Sequence, residues 1–351
     1  MKVLQVNTAS GWRGGERQTF LTMRGLKRES VNVSLLCLNS APLYKKAKTE
    51  GFRVIGVNNQ LTALRYLLNH GSEFDILHPQ TAKAFSLCAI SKWKHNTKIV
   101  YTRRVDFVPK GFLTKWKYRQ ADHLVGISDA IIQILHDFGF NDCTKIFSAI
   151  EEKSLNISRA TSLKDKLNIN TKKIVATTAA FVPHKDPLTM VKAIHELSKR
   201  RDDFVMLHFG DGPLKSQIME YINHHNLQSV YLLPGFFAEV EDFFSIFDVF
   251  VMSSNEEGLG SSVLDAFLYE VPVVSTSAGG LKELVKDRGE LCPIGDYQCI
   301  AQKIDNLLNN NELAKKFISA AKSYVLAHHS VKNMTDQYLT IYKKLTEEHH
   351  D

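Results

Sequence analysis

The segment SNEEGLGSSVLDAFLYEVPVVST, residues 254–276, gathers four carboxylates around a short glycine and serine loop. The acids are Glu256, Glu257, Asp265 and Glu270; the loop holds Gly258, Leu259, Gly260, Ser261 and Ser262. A glycine-containing turn ahead of a helix presents unpaired backbone N–H groups and the positive end of the helix dipole, which suits a phosphate. The amides of Gly260, Ser261, Ser262 and Val263 are therefore expected to receive one, with the serine side chains capping the helix. A carboxylate beside that phosphate would repel it. Glu257 precedes the helix, and Asp265 falls eight residues later, expected in its first turn. Carboxylates accept several hydrogen bonds, and sugar hydroxyls donate them. One acid could hold a ribose and the other a transferred sugar, with phosphates between. The plainer alternative is that both acids only complement the helix terminus.

The elements that must position this loop are legible as strand–helix alternation. In the first half, 2–7, 32–39, 52–57, 75–80, 98–104 and 123–128 read as strands, with a glycine-rich turn at 11–16 and helices at 17–28 and 44–51. Such alternation predicts a parallel sheet covered by helices. Ligands then gather at the C-terminal strand ends, which here carry Asn7, His78, Gln80, Arg103, Arg104 and Ser128. Residues 151–173 are polar and fit a linker with a short helix. A second series follows at 174–181, 204–212, 230–236, 249–254 and 271–280, in near-continuous apolar runs typical of strands covered on both faces. Residues 186–197 and 333–348 read as amphipathic helices. The 351 residues exceed one ordinary core, and two doubly wound α/β domains facing a central cleft are expected. Their bounds are 1–155 and 156–332, with a C-terminal helix over 333–351 packing back on the first domain.

Charge is uneven. The net is +7, but residues 1–160 carry 24 Lys/Arg against 12 Asp/Glu, whereas the rest of the chain is net acidic. The excess peaks between Lys92 and Arg119, with nine basic residues, one acid (Asp106), and Trp93, Trp116 and Tyr118 interleaved. Anionic lipid headgroups or nucleic acid suit such a stretch; no nucleic-acid-binding motif accompanies it, so nucleic acid is not expected as a partner. The first ten residues are too polar for a secretory signal, and no apolar run is long enough to span a bilayer. The five cysteines, Cys37, Cys88, Cys143, Cys292 and Cys299, show no C-x-x-C pairing and are expected as reduced cytoplasmic thiols. No metal is expected: D-x-D is absent from the sequence.

Glu257-Gly258-Leu259-Gly260 followed by Asp265 within LDA resembles the E-G-[FL]-G…E signature of the retaining glycosyltransferases of family 4, which have the GT-B fold. GGER at 14–17, DILHPQ at 75–80, VGISDAI at 125–131, HFGDGPLK at 208–215, LLPGF at 232–236 and VPVVSTSAGGLKELV at 271–285 follow the family pattern in order and spacing. The resemblance implies a nucleotide-sugar donor in the C-terminal domain, a glycan or lipid-linked acceptor of the lipopolysaccharide or surface-polysaccharide type, no cofactor, and a cytoplasmic enzyme held on an anionic inner membrane face. Glu257 would contact the donor sugar, Asp265 the ribose through an arm one methylene shorter than glutamate, and Lys185 the departing diphosphate. Gly14, Gly15 and Gly235 would line the donor, while Trp12, Arg13, His78, Gln80 and Ser128 would face sugar or acceptor.

Besides Asp265 in place of glutamate, the chain departs from the family at three further places. Ala180 stands where a diphosphate-binding arginine is usual, Gln80 where a second histidine is usual, and Glu270 where a glycine is usual. Arg103 or Arg104 is the expected replacement cation, since a guanidinium matches phosphate. The departures leave two alternatives, a GT-B protein that only binds nucleotide or a partner, and a nucleotide-sugar epimerase.

Overall fold

The computed structural model describes residues 1–237 and 239–347. It divides into two compact units, residues 1–151 together with the chain from His328 onward, and residues 152–327.

The first unit is built on strands β1 (Lys2–Asn7), β2 (Asn32–Leu38), β3 (Arg53–Val57), β4 (Ile76–Pro79), β5 (Lys98–Arg103), β6 (His123–Gly126) and β7 (Cys143–Lys145). They pair in parallel in the order β3-β2-β1-β4-β5-β6-β7. Helices α1 (Gly14–Arg28), α2 (Pro42–Thr49), α3 (Gln60–His70), α4 (Ala82–His95), α5 (Phe112–Tyr118) and α6 (Asp129–Asp137) connect them. The second unit has β8 (Lys173–Thr177), β9 (Phe204–Phe209), β10 (Tyr231–Gly235), β11 (Val249–Met252), β12 (Val273–Thr276) and β13 (Glu290–Cys292), in the order β10-β9-β8-β11-β12-β13. Its helices are α7 (Ile157–Leu167), α8 (Pro187–Ser198), α9 (Lys215–His224), α10 (Ser261–Leu268), α11 (Gly280–Val285), α12 (Tyr297–Asn309) and α13 (Asn311–His328). Every residue of β9 and β11 is buried, as strands covered on both faces require.

In each sheet the strand order reverses once, between β1 and β4 and between β8 and β11. The loops leaving those strands diverge to opposite faces and open a crevice at the strand C-termini. The reversal thus selects, from all the strand ends, the two loops per unit where a ligand fits.

A last helix, α14 (Val331–Glu347), folds onto the first unit. Its apolar stripe of Val331, Met334, Tyr338, Ile341, Tyr342 and Leu345 is buried with Phe20, Met23 and Leu26 of α1. Gly25 sits where the helices meet: a Cβ there would lie 1.8 Å from Thr335 Oγ1, so only glycine permits this approach. An amide clip fixes the other side of α1, where Gln18 donates to the Ala149 carbonyl and accepts from its N–H at 2.7 and 2.8 Å.

Three local expectations are corrected. The turn expected at 11–16 ends early, because Gly14, Gly15 and Glu16 already form the first turn of α1; the Glu16 carboxylate accepts the Arg13 N–H at 2.9 Å. The three-residue edge strands β7 and β13 have no counterpart in the sequence reading, being too short to show a period. Cys292 and Cys299, expected as thiols, form a disulfide. Cys292 ends β13 and Cys299 lies in the first turn of α12, and the intervening Pro293–Asp296 turn brings them together. Cys37 and Cys88 are free and buried, and burial pushes the Cys37 thiol up to about 12 and Cys88 higher still.

Candidate functional site

The switch point of the second unit lies between the loop after β8 and the loop after β11, and these carry Lys185 and Glu257. The two side chains form a salt bridge, both mostly shielded from solvent. Backbone bonds hold the loops together. The amides of Asn255 and Glu256 donate to the His184 carbonyl at 3.0 and 3.3 Å, and the Ser253 hydroxyl reaches the carbonyls of Lys185 and Asp186, each at 3.0 Å. Pro183–Lys185 is a single 3-10 turn, ended by Asp186 in the left-handed region, whose side chain caps α8 through the Thr189 N–H at 3.1 Å. Lys185 is thereby fixed by its neighbours on both sides, and an ammonium and a carboxylate face each other without help from a long flexible loop.

Glu257 leads into α10. Leu259 is buried, and Gly260 is the N-cap at φ 96°. The expected serine cap is absent: no side chain caps this helix, and the Ser262 hydroxyl instead points to the Thr178 carbonyl at 3.5 Å. The first-turn N–H groups of Ser261 and Ser262 precede the intrahelical bonding pattern, as the geometry of a helix start dictates, whereas the Val263 N–H, also expected to receive phosphate, already donates to the Gly260 carbonyl at 2.9 Å. Asp265 is in the second turn, not the first, and is buried; its carboxylate therefore lies below the helix mouth. Gly280, at the start of α11, secures the turn from behind. Its N–H donates to the Glu257 carbonyl at 2.8 Å, and a Cβ at this position would lie 2.3 Å from the Gly258 carbonyl oxygen. Glu270 is exposed at φ 61°, the left-handed conformation for which glycine is the usual choice.

On the loop after β8, position 180 is Ala180 and adds no second cation behind Lys185. The loop is braced by His208, whose Nε2 donates to the Ala179 carbonyl at 3.0 Å while Nδ1 accepts the Tyr231 hydroxyl at 2.7 Å. Its ring stacks on Phe181 at 4.0 Å. Burial pulls His208 down to about 4, so the imidazole is neutral at pH 7. Gly235, at φ 98° on the end of β10, accepts the Gly210 N–H at 3.1 Å and so joins the same rim.

The first unit gathers its polar residues at its own switch point, but turns most of them inward. His78 is fully buried; Nδ1 is 2.5 Å from the Tyr342 hydroxyl and Nε2 is 2.8 Å from the Thr102 hydroxyl. Burial first, and then the Arg104 cation, hold it well below its ordinary value. Gln80 donates to Gln5 at 2.8 Å, and its carbonyl accepts Arg104 at 2.8 Å. Arg104 is partly exposed, also contacts Ser148 at 3.3 Å, and senses the charge of Glu16. Arg103 is buried and donates to the Tyr118 hydroxyl and the Phe107 carbonyl. Ser128 is spent as the cap of α6, accepting the Ile131 N–H at 3.3 Å. Trp12 packs edge-on against Phe20 at 6.2 Å, under Lys46 at 4.8 Å. Arg13 is exposed just ahead of Gly14 and Gly15, whose amides open α1.

The sequence-expected residues therefore form two sets. Lys185, Glu257 and the Gly258–Val263 turn come together in the second unit. Gly14, Gly15, Gln80 and Arg104 share the strand ends of the first, whereas Arg103, His78 and Ser128 are occupied by internal bonds. Sequence reasoning missed Ser253, Gly280, His208, Tyr338 and Tyr342. The G-G at 279–280 was the one available signal; the others emerge only from the packing of distant segments, Tyr338 and Tyr342 from the return of α14. Among the described residues no cluster of three His, Cys, Asp or Glu is placed to hold a metal ion.

Comparison with known proteins bears on the family and the fold. The profile of "Glycosyl transferases group 1" matches residues 159–324, and that of "Glycosyltransferase Family 4" matches residues 12–147. N-acetyl-alpha-D-glucosaminyl L-malate synthase of Bacillus anthracis is 26% identical over 283 residues, 76% of this chain and 74% of that protein. The lipopolysaccharide core biosynthesis glycosyltransferase LpsE of Rhizobium meliloti is 25% identical over 170 residues, 48% of this chain and 49% of that protein. Anabaena HepE, solved in complex with UDP-glucose, superposes with a TM-score of 0.86 at 18% identity, over 98% of this chain and all of that one. Two parallel Rossmann-like sheets and two family profiles that between them span most of the sequence lead to one conclusion: the chain is a glycosyltransferase of family 4, with the GT-B fold.

Proposed function

We propose that this enzyme transfers a hexose-type sugar with retention from a nucleotide-sugar donor, bound by the 152–327 unit, to a lipid-linked glycan of surface-polysaccharide or lipopolysaccharide synthesis, bound by the 1–151 unit. The observation that carries the reading is the Lys185–Glu257 pair, held at the switch point directly ahead of α10. In the free enzyme each charge offsets the other's burial. When donor binds, Lys185 exchanges Glu257 for the diphosphate, and Glu257 turns to the sugar hydroxyls. Lys185 and the first-turn amides of α10 then stabilise the negative charge that develops as the nucleotide diphosphate leaves, without a divalent cation. Asp265 takes the ribose, and Arg104, with a spare buried Nε, is the cation of the acceptor side. UDP is the nucleotide inferred, because HepE was solved with UDP-glucose.

The acceptor lies on the cytoplasmic membrane face, to which the enzyme attaches peripherally; no described helix is long and apolar enough to cross a membrane. Its relative LpsE is named for lipopolysaccharide core biosynthesis, which supports this acceptor class. The test is a thermal-shift screen with UDP, GDP and ADP and their sugars, since a ligand of the native state raises its melting point. A shift with UDP-sugars in the native chain, lost in Lys185→Ala, supports the reading; equal shifts in both, or none with any nucleotide, overturn it.

A further inference from the structure

Helix α5 is built inside out. At about 100° per residue, Phe112, Leu113 and Trp116 occupy one arc, and Tyr118 lies opposite. Tyr118 is the buried one, packed on Phe85, Tyr101 and Phe138. The apolar arc faces solvent: Phe112 is 77% and Leu113 is 78% exposed, side by side rather than singly. Lys115 and Lys117 border the arc on its two sides. Phe107 and Val108, exposed on the preceding loop, extend the surface; the loop is anchored because Arg103 donates to the Phe107 carbonyl. On α4, Ser86, Ile90 and Trp93 follow one another at helical spacing, and Ser86 accepts Lys117 at 3.3 Å. That stripe therefore runs away from α5, ending at Trp93, which is 80% exposed.

Around these apolar residues, Lys83, Lys94, Lys110 and Arg119 are exposed. Between Lys92 and Arg119, Asp106 is the single acid. A second copy of the chain would bring the same positive field against itself. Nucleic acid would satisfy the lysines, but Leu113, Val108 and Ile90 have no π-face on which a base stacks. Hydrocarbon beneath anionic headgroups satisfies both the apolar centre and the basic rim.

We infer that α5, the 105–108 loop and the α4 stripe form a wedge that inserts its apolar side chains into an anionic phospholipid bilayer. This rests on the reading above that the acceptor is presented at a membrane. It goes further in replacing headgroup attraction by insertion, so salt weakens attachment without abolishing it.

The test is co-sedimentation with phosphatidylglycerol/phosphatidylcholine vesicles at low salt and at ~1 M salt, where the Debye length is about 3 Å. The native chain is expected to retain a bound fraction at high salt. Phe112→Ser/Leu113→Ser should lower that fraction about tenfold, as expected for loss of buried apolar area, and Trp93→Ser should lower it less. Lys94→Glu/Lys110→Glu should weaken binding at low salt only. Acyl-brominated lipids should quench tryptophan emission. Complete release of the native chain by salt, absence of quenching, full binding by the serine variants, or a dimer that these variants dissolve would each overturn the wedge. Hydrolysis of UDP-sugar in free solution separates this from the function: the serine variants should keep it. A native chain that inserts but never turns over any nucleotide sugar would sink the proposed transfer and leave the wedge standing.

Discussion

At the switch point of the second sheet, Lys185 and Glu257 remain on loops, paired with each other and reachable from solvent. At the switch point of the first sheet, His78, Gln80, Gln5, Thr102 and Tyr342 close into a buried network, and Arg104 alone reaches outward from it. Both sets sit at the C-terminal ends of parallel strands in the same strand order. The difference lies in what covers them. Helix α14 lays Tyr338 and Tyr342 over the first set, so its polar groups bond inward, and the cost of desolvation makes each bond necessary. The Lys185–Glu257 pair is set by backbone bonds between two loops. Side chains thus saturate the first set, whereas backbone bonds between loops fix the second as a mutual ion pair.

The comparison breaks most sharply at the paired charges. Lys185→Ala or Glu257→Gln should lower kcat by ~10²–10³-fold, the usual loss when a preorganised charge-stabilising group is removed. Steady-state rates with UDP-sugar check this, and a loss under threefold would remove the pair from the mechanism. Acid tests the buried histidines of both units. His208 titrates near 4 in the folded chain, against an ordinary 6.5. The unfolded chain takes up the proton first as pH falls, so stability is full above about 6.5, drops by about 3 kcal/mol by about pH 4, and has no further His208 slope below. His78 acts in the same direction. Urea midpoints across this range should show the fall, and His208→Asn should flatten part of it.

Gly280→Ala sharpens the comparison by moving the loop without touching a charge. Its Cβ would displace the Gly258 carbonyl, and about 2 kcal/mol of stability should be lost, as for other overpacked sites, together with turnover. Retained stability and rate would show that the turn tolerates slack. The smallest effect belongs to the first unit. Tyr342→Phe leaves His78 short of a partner and should cost about 1 kcal/mol, seen in the urea midpoint, with kcat nearly unchanged. A large loss of kcat at constant stability would instead make the network part of the chemistry through Arg104.

Much of the second-unit site was legible because local chain chemistry dictates it. Glycine at 258 and 260 marks the turn, the apolar run before it marks a covered strand, and Glu257 sits between them. Arg103 was misleading for a related reason. Neighbouring arginines at a strand end look equivalent in sequence, but strand alternation sends one into the core, where Tyr118 and the Phe107 carbonyl receive it, and the other toward Gln80. The serine cap of α10 failed because Gly260, at positive φ, takes the cap position itself. The Cys292–Cys299 bond was hidden because a turn between a strand and a helix, not a motif, sets the approach.

By itself the sequence determined the alternating elements, the two parallel sheets and the acid–glycine turn, since each rests on periodicity or on backbone freedom within a few residues. Tertiary structure decided that Lys185 meets Glu257 across 72 residues of chain, that α14 returns to roof the first sheet, and that the apolar arc of α5 faces outward. Each of these depends on strand order or on the direction of a helix face, which only the packing of distant segments sets.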